Sequence, residues 1–193
     1  MKRLAAAATT LIGLCATLPA AAEVLTETAA DSGARSWILR DGPLELRLQQ
    51  LTLDQTRAFY LGRGFDAAAA ERIAHGCVFQ TVARNIGAAG SVALDLAHWR
   101  LETAGGPRPI KLKHEWDQEF EAGGTPPSAR IAFRWATFPT EQSFDPSDYN
   151  WGMTTFGLPP GSSFDLSLQW RVDGHPQQAL IKSMSCAEET ETP

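Results

Sequence analysis

The sequence predicts a mainly β protein: an antiparallel sandwich with one short helical hairpin set near its N-terminal end. Three observations carry this. Apolar and polar residues alternate in stretch after stretch, as Leu44, Leu46 and Leu48 do against Glu45, Arg47 and Gln49. A period of two gives a strand one apolar face. Turn-forming runs separate these stretches, among them "NIGAAG", "AGGPRP", "AGGTPP", "GLPPGSS" and "VDGHP". One segment, 52–76, breaks the alternation with caps, alanines and glycine stops instead.

In chain order, residues 1–22 have the charged start (Lys2, Arg3), apolar middle and small-residue end of a secretory signal peptide, with cleavage expected after Ala22. The apolar run is too short and alanine-rich for a comfortable membrane span. Leu14 before Cys15 argues against a lipoprotein signal. Residues 23–36 are polar, small and without period, and read as a flexible leader. Residues 37–187 form one domain. It opens with the strand containing "PLELRLQQL". Thr52 or Asp54 can cap a first helix, which Gly62 and Gly64 stop. Asp66 caps a second, stopped by Gly76. Strands are then expected at 77–85, 91–102, 109–117 (polar, near an edge), 129–138, 163–172 and 177–186, with Asp173-Gly174 as a hairpin turn. No internal repeat is evident. Residues 188–193 are an acidic tail. Several short strands spaced by turns, with a cysteine in an early strand and another in the last, resemble an immunoglobulin-like sandwich.

Composition narrows the function. The 193-residue chain carries a formal charge of −5, and loss of Lys2 and Arg3 with the signal takes it to −7. An acidic exported chain without a basic cluster argues against nucleic acid and anionic membrane surfaces. The signal peptide points to the periplasm. Cys77 and Cys186 remain after cleavage, and an even count in an oxidising compartment predicts one disulfide. A competing reading starts from "HGC" and "MSC". His75, Cys77, Met184 and Cys186 offer imidazole, thiolate and thioether, the donors that reduced copper prefers. The cofactor expectation is therefore none, with copper as the alternative.

Enzyme chemistry has little support. There is no G-x-S-x-G elbow, and "GRGFDA" follows a helix rather than a strand. His98, His114 and His175 lack zinc-ligand spacing. Glu115, Asp117, Glu119, Asp145 and Asp148 offer carboxylate pairs, as any acidic chain does. The segment 139–162 stands out instead. It is long for a loop and too apolar for a solvated linker. Tyr149, Trp151, Met153 and Phe156 either plug one end of the sandwich or face outward as a recognition surface for a protein or small ligand such as a sugar. The expected function is that of a non-catalytic binding or accessory protein presenting this loop. The alternative is a copper-handling or thiol-redox factor.

Overall fold

The structure, a computed structural model, describes residues 22–30 and 32–189. The signal-peptide expectation and most of the acidic tail lie outside the described residues. The strands are β1 (Glu23–Thr28), β2 (Arg35–Asp41), β3 (Leu44–Gln50), β4 (Val78–Asn85), β5 (Val92–Asp95), β6 (Arg100–Thr103), β7 (Gly106–Pro109), β8 (Glu141–Phe144), β9 (Tyr149–Thr155), β10 (Ser163–Val172) and β11 (His175–Ser185). The helices are α1 (Leu53–Leu61), α2 (Ala67–Ala74), α3 (Lys113–Ala122) and α4 (Pro127–Ala136).

Two antiparallel sheets result. Sheet A runs β1-β2-β3-β4-β9. Glu23–Thr28, expected as a flexible leader, is β1, in register with Arg35–Arg40 of β2. Its residues are exposed, so it carries no burial period to read. In sheet B, β10 pairs with β11 along one edge. Its other edge is shared: β6 lies against Asp165–Ser167 and β5 against Trp170–Val172. The stretch 91–102, expected as one strand, is broken between these by a 3-10 turn, Leu96–His98, where Asp95 accepts the Ala97 N–H. Asp173 and Gly174 both take positive φ, 49° and 79°, as a two-residue type I′ hairpin requires.

The alternation explains the core. Trp37, Leu39, Leu46, Leu48 and Phe79 point from sheet A toward Leu94, Leu101, Phe164, Leu166, Leu168 and Trp170 of sheet B. Each such side chain contributes about 1.5–3 kcal/mol on leaving water.

A second core lies on the outer face of sheet A, and here the expected strands 109–117 and 129–138 are corrected to helices. Alternation in "PIKL" ends at Leu112. Glu115 then caps the Leu112 N–H at 2.7 Å, and Trp116 and Phe120, four apart, take one face of α3. In α4 the proline at the helix start suits the first turn, and the buried pair is Ala129 and Phe133. The alternating Ile131, Phe133 and Trp135 mimics a strand, but only Phe133 is buried. Tyr60, Phe65, Phe120 and Phe133 interlock, with Phe65–Phe120 and Phe120–Phe133 centroids 5.1 and 5.0 Å apart.

The helical hairpins are a structural repeat. A shift of sixty residues carries Tyr60 onto Phe120, Phe65 onto Thr125, Ala69 onto Ala129 and Ile73 onto Phe133, all buried. It also carries Gly64 (φ 84°) onto Gly124 (φ 73°). The turn bonds correspond: Phe65 N–H donates to the Tyr60 carbonyl and Thr125 N–H to that of Phe120.

The chain passes from the helical core to the sandwich core at the rim of β9. Thr137 bridges Met153 in parallel, and Phe138, buried in the sandwich, donates its N–H to the Met153 carbonyl. Gly152 makes this crossing possible, since a Cβ there would sit 2.5 Å from the Phe138 nitrogen and 2.7 Å from its Cα. Gly152→Ala is therefore expected to cost about 2–3 kcal/mol in urea denaturation, because backbone must move, while Gly105→Ala, whose Cβ would meet only the Thr103 Oγ1 at an ordinary 3.7 Å, stays within about 0.5 kcal/mol of wild type. A second prediction concerns Asp117. Arg130 and then Arg134 hold its carboxyl below the usual range. Its folded-state pKa is depressed, so its stabilisation is present at neutral pH and lost as pH falls through the carboxylate range. Asp117→Asn should be less stable than wild type at pH 7, and that gap should narrow progressively in denaturation curves taken at pH values falling below about 4.

Candidate functional site

Strand β9 is one of the two edge strands of sheet A. It pairs with β4 so that Tyr149 lies opposite Arg84, Trp151 opposite Val82 and Met153 opposite Gln80, all on the face turned away from the sandwich. The helices cover only part of this face. Met153 lies beneath them, with the Tyr60 hydroxyl 3.4 Å from its Sδ. Burial pushes the Tyr60 phenol well above its ordinary pKa. Trp151 and Tyr149 emerge beyond the helices, 57% and 64% exposed. The Arg84 guanidinium stands 6.0 Å from the Tyr149 ring centroid. Trp151 N–H is taken by its neighbour's Asn150 Oδ1 at 2.7 Å, which blunts the strand edge there.

Of the four residues expected at a recognition surface, Tyr149 and Trp151 are on it. Met153 and Phe156 are not. Met153 packs in the helical core, and Phe156 is fully buried in the sandwich, stacked on Phe79 at 5.0 Å. The segment 139–162 is not a loop but holds β8 and β9.

Sequence reasoning missed Trp135, 86% exposed, and Ile131, 47% exposed, one turn apart on α4. The bridge between Thr137 and Met153 sets the end of α4 beside β9, with Trp135 and Trp151 each two residues before it. The signal that could have found them is the four-residue spacing of Ala129 and Phe133 behind Pro126-Pro127, which turns Ile131 and Trp135 away from the core. The repeat sharpens the point. In α2 the equivalent positions are Glu71 and His75, held in an ion-pair network. Arg57 bonds Glu71 and Glu189, and His75 lies 3.1 Å from Glu71 and 3.7 Å from Glu189. In α4 the same positions are apolar and have nothing over them among the described residues.

Cys77 and Cys186 form a disulfide, their Cα atoms 5.1 Å apart and both residues buried. Joined, they offer no thiolate, so copper on His75, Cys77, Met184 and Cys186 would require the reduced protein. His75 caps α2 and Cys77, with φ 56°, precedes β4, so the two do not share a strand face. Met184 is fully buried in the sandwich core. Glu71, His75 and Glu189 bring their donor atoms within 4.8 Å of one another. Arg57 already contacts both carboxylates and holds the Glu71 carboxyl below its usual range. Four of the five carboxylates weighed for hydrolysis have structural partners: Glu115 caps α3, Asp117 binds Arg130, Glu119 binds Lys111, and Asp148 accepts the Asp145 N–H.

No protein-family model matches the chain, and no curated protein matches it. No helix among the described residues is long and apolar enough to cross a membrane.

The disulfide closes a separation of 109 residues. Chain entropy makes a closure of that length worth about 4–5 kcal/mol. The Cys77→Ser/Cys186→Ser variant should unfold at correspondingly lower denaturant, and a reducing agent should shift wild type to the same midpoint while leaving the variant unmoved.

Proposed function

We propose that this is an exported, periplasmic, non-catalytic binding protein that docks a protein partner on the surface formed by Tyr149, Trp151, Ile131 and Trp135. The observation that carries the reading is Trp135, 86% exposed on a helix whose opposite face is locked in an aromatic core. A tryptophan covers 150–250 Å² or so when buried, and rigid aromatics of this kind are the usual anchors of interfaces. Around it lie mixed charges, Arg84 and Glu45 on the sheet and Arg134 and Asp117 on the helices, which suits a polar rim. The signal-like residues 1–22 and the disulfide support export to an oxidising compartment. The resemblance to an immunoglobulin-like domain rests on two stacked antiparallel sheets and a disulfide, and it assigns no partner.

The test is site-specific photo-crosslinking in the source cells. p-Benzoylphenylalanine at position 135 or 151 should trap the same protein, and at Lys182, on β11 of the other sheet, it should not. The trapped protein, purified, should then bind the wild type and bind Trp135→Ala/Trp151→Ala at least about tenfold more weakly. Equal trapping from position 182, or unchanged affinity of the folded double variant, overturns the reading.

A further inference from the structure

A cleft of about 550 Å³ lies away from the aromatic surface, where the end of α2, the β7–α3 link and the β9–β10 link meet. Its floor is backbone. Gly157 N–H donates to the Gly76 carbonyl at 2.8 Å. Neither glycine has room for a side chain: a Cβ on Gly76 would meet the Trp116 ring at 3.0 Å, and one on Gly157 would meet the Lys111 Cβ at 3.2 Å. Glycine is what allows a close approach to backbone of this kind. Ile110, Leu158 and Pro159 give it an apolar wall.

Three cationic side chains and the His75 imidazole line the cleft, and they are not equivalent. Lys111 is committed, 2.6 Å from Glu119 and 3.6 Å from the Trp116 ring centroid. His75 faces Glu71 and Glu189. Arg72 and Arg108 have no carboxylate within 4.0 Å among the described residues. Arg72 lies near Gly123 at the C-terminal end of α3, and Arg108 makes one long bond, 3.5 Å, to the Gly157 carbonyl. In a chain with more acids than bases, two unneutralised guanidiniums over one cleft are a conspicuous use of charge. The lining acid, Glu115, is occupied in capping α3.

Trp116 forms part of the cleft wall. It is 3% exposed, with Lys111 over one region of the ring and Phe120 stacked at 5.7 Å. Its Nε1, like those of Trp99 and Trp170, is enclosed and has no hydrogen-bond partner among the described residues.

We infer that this cleft binds a small organic anion: a carboxylate held by Arg72 and Arg108, carried on an apolar body that packs against Ile110, Leu158 and Pro159. Guanidinium suits the carboxylate because it donates in a planar fork. The inference is independent of the partner surface, which lies on other residues.

The test uses the purified, oxidised protein with hippurate as the probe and its neutral amide as the control. Binding is followed by the indole N–H resonances in nitrogen-correlated NMR, with Trp116 assigned by its loss in Trp116→Phe. Hippurate should shift the Trp116 resonance saturably and leave those of Trp135 and Trp151 in place. The amide should bind at least about tenfold more weakly, and so should hippurate to Arg72→Gln/Arg108→Gln. The double variant's other indole resonances report that it is folded; should it unfold, Arg108→Gln alone, on an exposed strand residue, provides the same comparison. No saturable shift at tens of millimolar, equal binding of acid and amide, or unchanged affinity in the folded variant overturns the inference.

Discussion

Sheet A has two faces to bury, and β4 and β9 serve both. Phe79 enters the sandwich while its neighbour Val78 enters the helical core, and on β9 Met153 goes to the helices while the chain beyond it carries Phe156 inward. Everything near the proposed docking surface follows from how far the helical cover extends. It reaches Met153 and stops, so the next residues of the same strand face, Trp151 and Tyr149, continue an apolar stripe into solvent. The chain must also get from the cover to the interior, and it does so where Gly152 leaves room for Phe138. The exposed aromatics are thus the uncovered end of a core whose geometry is fixed by packing.

The paired helical hairpins show how one backbone is given two chemistries. The turns, the buried positions at 60, 65, 69 and 73 and the left-handed glycine at 64 coincide with their counterparts under the shift. Each hairpin is also tied by an ion pair from the same position of its first helix, with the sign exchanged, though the partners differ: Arg57 reaches Glu71, and its counterpart Asp117 reaches Arg130 and Arg134, where α2 has Ala70 and Ala74. What differs is the outward stripe. In α2 it is charged and lies against Glu189, and in α4 it is Ile131 and Trp135. Similar scaffolding therefore carries a charged stripe in one hairpin and an open apolar stripe in the other.

Much of the sandwich was legible because its strands are half buried, and half burial writes a period of two into Leu44–Leu48 and Phe164–Trp170. The Asp173-Gly174 turn was legible because only certain residues tolerate positive φ, and the disulfide because two cysteines have one pairing. The second helical hairpin was not. Ile131, Phe133 and Trp135 alternate by coincidence with an exposed patch, so surface hydrophobics completed a false strand. That same misreading hid half of the candidate surface. The repeat was hidden because, between residues 60 and 77, Gly64 with Gly124 and Ala69 with Ala129 are the identities the shift preserves. Packing constrains size and polarity at the other positions, and neither is visible as identity. The cleft was illegible for another reason: it is assembled from three connections distant in sequence.

At the opposite rim of sheet A from β9, β1 is hydrogen-bonded on one side to β2, and its residues are exposed, Val24 and Leu25 included. An open strand of this kind is a template for another chain. Two of its residues are glutamates, Glu23 and Glu27, and a second copy approaching along this edge brings its own pair toward them. Like charges meeting along this edge oppose self-association, while Glu27 also pairs with Arg47 of β3 at 3.2 Å. Solubility of the folded protein, a colloidal property, is the quantity this edge ties to ionic strength.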